Sequence, residues 1–153
     1  MDTPIELSGA ESITLHLPAQ FRYLALARDA ALEACQRLQF PEFDCYKVEM
    51  AVDEACTHII EHGYHGEVPP EEELDHPGLT VVFAPHTDHL LIEITDRGDG
   101  FDFDTRQETS PDEYVVDGDE QGLGLYIIKR FVDHVEYQQD PQHGNRLRLT
   151  KHR

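Results

Sequence analysis

Residues 79–96, LTVVFAPHTDHLLIEITD, leave the backbone few choices. Two runs rich in Val, Leu, Ile and Thr flank PHTD, whose Pro and Asp favour a turn, so the segment is predicted to be a β-hairpin. A hairpin is marginal alone and must bury one face against something else. The rest of the chain supplies the cover. SITLHL (12–17) alternates like a further strand and ends at Pro18. Beyond it, Phe21, Leu24, Ala27, Ala31, Cys35 and Leu38 recur in steps of three and four, the spacing of an amphipathic helix. PEF interrupts, and a second helix is predicted from Asp44 to His62 with Val48, Val52, Ala55 and Ile59 on its core face.

Downstream, GYHGEVPPEEELDHPG (63–78) reads as a loop. Residues 99–121 are polar and glycine-flanked, without helical or strand period, and a loop this long in a small chain points to function or disorder. GLGLYIIKRFVDHV (122–135) is predicted as a helix, and VEYQQD with NRLRLTKH as a closing hairpin around PQHG. This order predicts an α+β fold: a two-layer α/β sandwich whose mixed, mostly antiparallel sheet is covered on one face by helices. A length of 153 residues fits one domain, 1–153.

Composition narrows the class. With 39% hydrophobic and 28% charged residues the chain reads as soluble and globular, and no run approaches the roughly 18 apolar residues of a membrane span. MDTPIELSGAES lacks the features of a signal peptide, so a cytoplasmic location is expected. A net charge of −19 argues against nucleic acid and fits either a basic protein partner or plain solubility. Cys35, Cys45 and Cys56 are odd in number without a C-x-x-C spacing, and buried free thiols are expected.

Three motifs carry chemistry. IEITDRGDGF delivers Asp96 at a strand end, where a carboxylate can accept a hydrogen bond from an exocyclic amine such as that of adenine. Gly98 and Gly100 would let backbone approach a flat ring, although Asp and Gly also populate ordinary turns. An EF-hand is excluded because glycines occupy its third and fifth ligand positions. GLGL (122–125) opens a helix, where backbone N–H groups can meet an anion; it is neither a Rossmann fingerprint nor a P-loop. In DEACTHIIEHGYH (53–65), Glu54, His58, Glu61 and His65 cluster on one helical face. That face reads as a solvated stripe, as a site with Glu54 as general base, or as a metal site from His58, His62 and His65.

In this order, AVDEACTHIIEHGY, DRGDGFDF and GLGLYIIKRFVDHVEY resemble the GHKL ATP-binding fold, and within it the stand-alone anti-sigma factor serine kinases of the RsbW/SpoIIAB type. The resemblance spans about residues 12–150 and implies an N-box at 48–64, a G1 box at 96–100, an ATP lid at 101–121 and a G2 box at 122–125. It implies ATP and Mg²⁺ as cofactors and an adenine site at Asp96, Gly98 and Gly100. It implies phosphate contacts at Gly122, Leu123 and Gly124, with Arg106 the cation of the lid. Glu54 would take the proton of a partner's serine. The implied partners are a sigma factor and an anti-anti-sigma (STAS) protein, exchanged by phosphorylation, with the kinase a homodimer.

The departure is His58. The family has Asn there, an oxygen ligand of Mg²⁺, and imidazole nitrogen is a poorer donor to that hard ion, so His58 is expected to be a weakened metal ligand. Gln121 stands where the family often has Arg, in a lid rich in Asp and Glu. The alternatives are therefore a weakened or purely sequestering module of the same fold, or a metal-responsive switch on the histidine face.

Overall fold

The structure, a computed structural model, describes residues 11–69, 78–103 and 108–153. Five strands form one sheet: β1 (Ile13–Leu17), β2 (Leu79–Pro85), β3 (His89–Asp96), β4 (His134–Asp140) and β5 (Gly144–His152), in the order β1-β2-β3-β5-β4. Each described pairing is antiparallel, so among the described residues the sheet predicted as mixed and mostly antiparallel is antiparallel at every pair. Residues two apart along a strand share a face. The registers Val81↔Ile94, Phe83↔Ile92, Ile94↔Leu147 and Ile92↔Leu149 therefore stack one continuous apolar face, every member of it fully buried.

The helices cover that face. They are α1 (Leu24–Arg37), α2 (Glu42–His58) and α4 (Glu120–Phe131), with α2 between α1 and α4, while the short α3 (Pro111–Asp117) lies against α4. Val48, Val52 and Ala55 of α2, and Ile59 just beyond its end, are all at 0% exposure, as the helical spacing predicts. Cys35, Cys45 and Cys56 are free and buried. No helix among the described residues is long and apolar enough to cross a membrane.

Several boundaries move. The first helical segment opens with a 3₁₀ turn (Phe21–Tyr23), leaving Phe21 39% exposed rather than in the core. The second helix starts at Glu42, stabilised by Glu42 and Asp44 in its first turn, and passes at Ile59–Gly63 into a π-helical turn. Residues 99–121, read as aperiodic, contain α3. Its start is capped by Ser110, whose side chain accepts from Glu113 N at 3.3 Å, and Gly118 at φ 66° ends it. The last helix starts before the glycines, at Glu120, and stops at Phe131.

Candidate nucleotide site

Asp96 ends β3 and is 4% exposed. Its Oδ1 accepts from Gly98 N at 2.9 Å and from Asn145 Nδ2 at 3.0 Å, and the same amide donates to Gly98 O at 2.8 Å. The π-helical turn closes on this loop: Asp99 N donates to Gly63 O at 2.9 Å. A side chain at Gly98 would put Cβ 2.6 Å from Gly63 O, so only glycine fits. Tyr64 pins the next turn, donating to Gly78 O at 2.6 Å and accepting from Arg97 N at 2.9 Å. Burial is the main cause that pushes its hydroxyl up to about 12, so it stays protonated as that donor.

The second half of the site lies between α2 and the start of α4. Glu54 is half-buried, and its pKa is raised first by desolvation and then by Asp53, Glu61 and Glu120. His58 is 2% exposed, and its Nε2 lies 3.1 Å from Gln121 O. A carbonyl oxygen only accepts, so Nε2 carries the proton there. Its ring sits 5.1 Å from that of His62 and 5.6 Å from that of Phe101, which stacks on Tyr137 at 5.0 Å. Gly124 faces this pair: a Cβ there would fall 2.6 Å from His58 Nε2 and 2.9 Å from Glu54 Oε2.

Asp119 caps α4, with Oδ1 accepting from Gly122 N at 3.1 Å and Oδ2 accepting from Thr109 Oγ1 at 3.1 Å. Thr109 N donates to Gly122 O at 2.8 Å, and its side chain fills the space beside Gly122. Lys129 Nζ donates to Phe103 O at 3.2 Å and Arg130 pairs with Glu108, so α4 is tied to both Phe103 and Glu108.

Glu54 and His58 are thus brought to Gly124, and Asp96 to Gly98. Phe101, whose ring is tilted 58° to that of His58, connects the two halves, with Gly100 at φ 78° turning the chain before it. Leu123 is half-buried in the first turn of α4, where its N donates to Asp119 O at 3.0 Å. Arg106 lies outside the described residues. The histidine face does not converge: His65 Nε2 lies 2.9 Å from Asp99 Oδ2, and no group of three or more His, Cys, Asp or Glu among the described residues is arranged to hold a metal.

Magnesium on His58 does not fit this arrangement. The ring nitrogen that faces α4 is a donor to Gln121 O, and imidazole suits a hard ion poorly. The sequence reading also missed Asn145, Tyr64, Thr109 and Asp119. Asn145 left one signal, a polar residue in phase with the inward Leu147 and Leu149.

Residues 17–151 match the family model described as a histidine kinase-like ATPase domain. Among curated proteins, the chain is 29% identical over 149 residues to a serine-protein kinase RsbW of Bacillus velezensis, covering 95% of this chain and 88% of that one. It is 30% identical over 146 residues to the RsbW of Bacillus cereus, covering 93% and 85%. A crystal structure of RsbU and RsbW domains from Mycobacterium tuberculosis superposes with a TM-score of 0.64 at 16% identity, and this chain spans 95% of its own length and 33% of that chain. That likeness concerns the fold.

Proposed function

The chain belongs to the histidine kinase-like ATPase domain family, and from that membership we propose that it is an ATP-dependent serine-protein kinase that regulates a sigma factor by partner switching. The observation that carries the reading is the buried carboxylate of Asp96, oriented by Gly98 N and Asn145 at a glycine-only turn. A fixed acceptor beside closely approaching backbone suits the 6-amino group of adenine, with Gly98 and Gly100 shaping the pocket. Gly122, Leu123 and Gly124 are the proposed phosphate contacts, and Arg106 the cation of the lid.

Glu54 is the proposed base. Desolvation and three acidic neighbours raise its proton affinity, which favours proton uptake from a serine hydroxyl. In the transfer, the serine oxygen bonds to the γ-phosphorus as its proton passes to Glu54, and the bond to the β-phosphate oxygen breaks to leave ADP. Since His58 does not fit as its ligand, Mg²⁺ would have to be held by oxygens, first those of the nucleotide itself. The proposed substrate is an anti-anti-sigma (STAS) protein. A phosphate adds about 1.5–2 negative charges, enough to eject that partner from an acidic kinase and free it for the sigma factor. A homodimer is part of the proposal.

The test is calorimetric titration with ATP, with and without Mg²⁺, followed by transfer of labelled γ-phosphate to a serine of a STAS protein. ATP binding and labelled serine are expected. Absence of ATP binding by the folded chain would sink the reading.

One observation favours a second reading, a weak kinase that sequesters its partner: His58 presents a nitrogen, tied to Gln121 O, where an oxygen ligand is implied. On that reading His58→Asn tightens Mg²⁺-dependent ATP binding and raises transfer, and an unchanged Mg²⁺ dependence discards it.

A further inference from the structure

Asn145 is the second residue of β5, lies on the core face and is 5% exposed. A buried amide among Leu and Ile costs stability unless its hydrogen bonds are made. Here both go to one place. Cross-strand register sets Asn145 directly opposite Asp96, and Nδ2 donates at 3.0 Å to Asp96 Oδ1 and at 2.8 Å to Gly98 O. With Gly98 N also on Oδ1 at 2.9 Å, the carboxylate, the glycine and the amide form a closed hydrogen-bonded ring. Asp96 therefore cannot rotate about its side-chain bonds without breaking two bonds at once.

We propose that Asn145 is a positioning residue that sets base selectivity: it holds the Asp96 carboxylate in the one orientation that accepts adenine and rejects guanine. The inference rests on the nucleotide reading above and assigns a specificity role to a residue outside its motifs. The chemistry lies in the two bases. Adenine offers a 6-amino donor. Guanine in the same seating offers a 6-keto acceptor, so two acceptors would face each other. A mobile carboxylate could swing to guanine's N1–H and 2-amino donors, and a carboxylate locked by Asn145 cannot. Selectivity of this kind comes from a mispaired polar group and is larger than shape alone provides.

The test compares ATP and GTP, as β,γ-imido analogues that do not turn over, by calorimetry on the full chain carrying Asn, Leu, Ala, Ser or Thr at position 145. Asn145→Leu keeps the branched outline with bulkier methyls and removes the donor; Asn145→Ala is the donor-less variant should Leu fail to fold, and Ser and Thr return one donor. The parent is expected to prefer ATP, Asn145→Leu to lower the ATP:GTP affinity ratio by roughly tenfold, the worth of one charge-assisted bond, and Asn145→Thr to recover part of it. Melting curves report the purely structural share, which would weaken both nucleotides alike. A folded donor-less variant with an unchanged ratio overturns the proposal while leaving the nucleotide site standing. A parent that binds neither nucleotide overturns the nucleotide reading itself.

Discussion

Gly124 tests how closely α4 is seated on α2. An alanine there would place Cβ 2.6 Å from His58 Nε2, 3.0 Å from its Cδ2 and 2.9 Å from Glu54 Oε2. Carbon contacts settle near about 3.5 Å, so roughly 0.9 Å of overlap must be relieved. Glu54 is the end of a flexible side chain and can move. His58 is buried and can leave only by giving up Gln121 O. Overpacking costs about 1–3 kcal/mol and a stretched buried bond about 1–1.5, whereas Gly→Ala inside a helix returns about 1. The net loss is about 2 kcal/mol, or about 4–8 °C in Tm for a chain of this size. The sign should reverse once the ring is gone: in a His58→Ala background, Gly124→Ala is expected to stabilise by about 1 kcal/mol. Urea unfolding followed by circular dichroism, run as a double-mutant cycle, measures both. A Gly124→Ala variant as stable as its parent, with no coupling to position 58, would refute the close contact on which this site is built.

Asp96→Ala should weaken adenine nucleotide by about 10- to 150-fold in a folded chain, the loss of a bond worth about 1.5–3 kcal/mol, read by calorimetry. Glu54→Gln should slow serine phosphorylation by about 10²–10⁴-fold with little change in ATP affinity, and the parent's rate should rise with pH along a limb displaced above the ordinary carboxylate range. The same raised pKa has a stability sign. Glu54 contributes stability below its unfolded value that is lost as pH rises through the folded one, so Glu54→Gln should unfold later in urea than the parent at neutral pH, an advantage that disappears in acid. Asp119→Ala should cost about 0.5–2 kcal/mol by removing the cap at Gly122 N, and a urea midpoint unmoved from the parent's would show the cap to be idle.

The hairpin of residues 79–96 and the apolar row of α2 were legible in the sequence because they follow from local periodicity, which one strand or one helix satisfies by itself. The same holds for Asp96 at a strand end before glycines, and for Glu54 and His58 one turn apart. The short α3 was not legible: seven residues with two exposed valines carry no amphipathic period, and the helix is set by the Ser110 cap and Gly118. Nor was the role of Asn145, which depends on β5 pairing with β3 across 49 residues of chain in a register that puts an amide opposite a carboxylate. His58 marks the division most clearly. Sequence placed it on a face with Glu54; only the packing of α4 on α2 turned its nitrogen onto Gln121 O, because hydrogen bonds and contacts between distant segments exist only once tertiary structure brings them together.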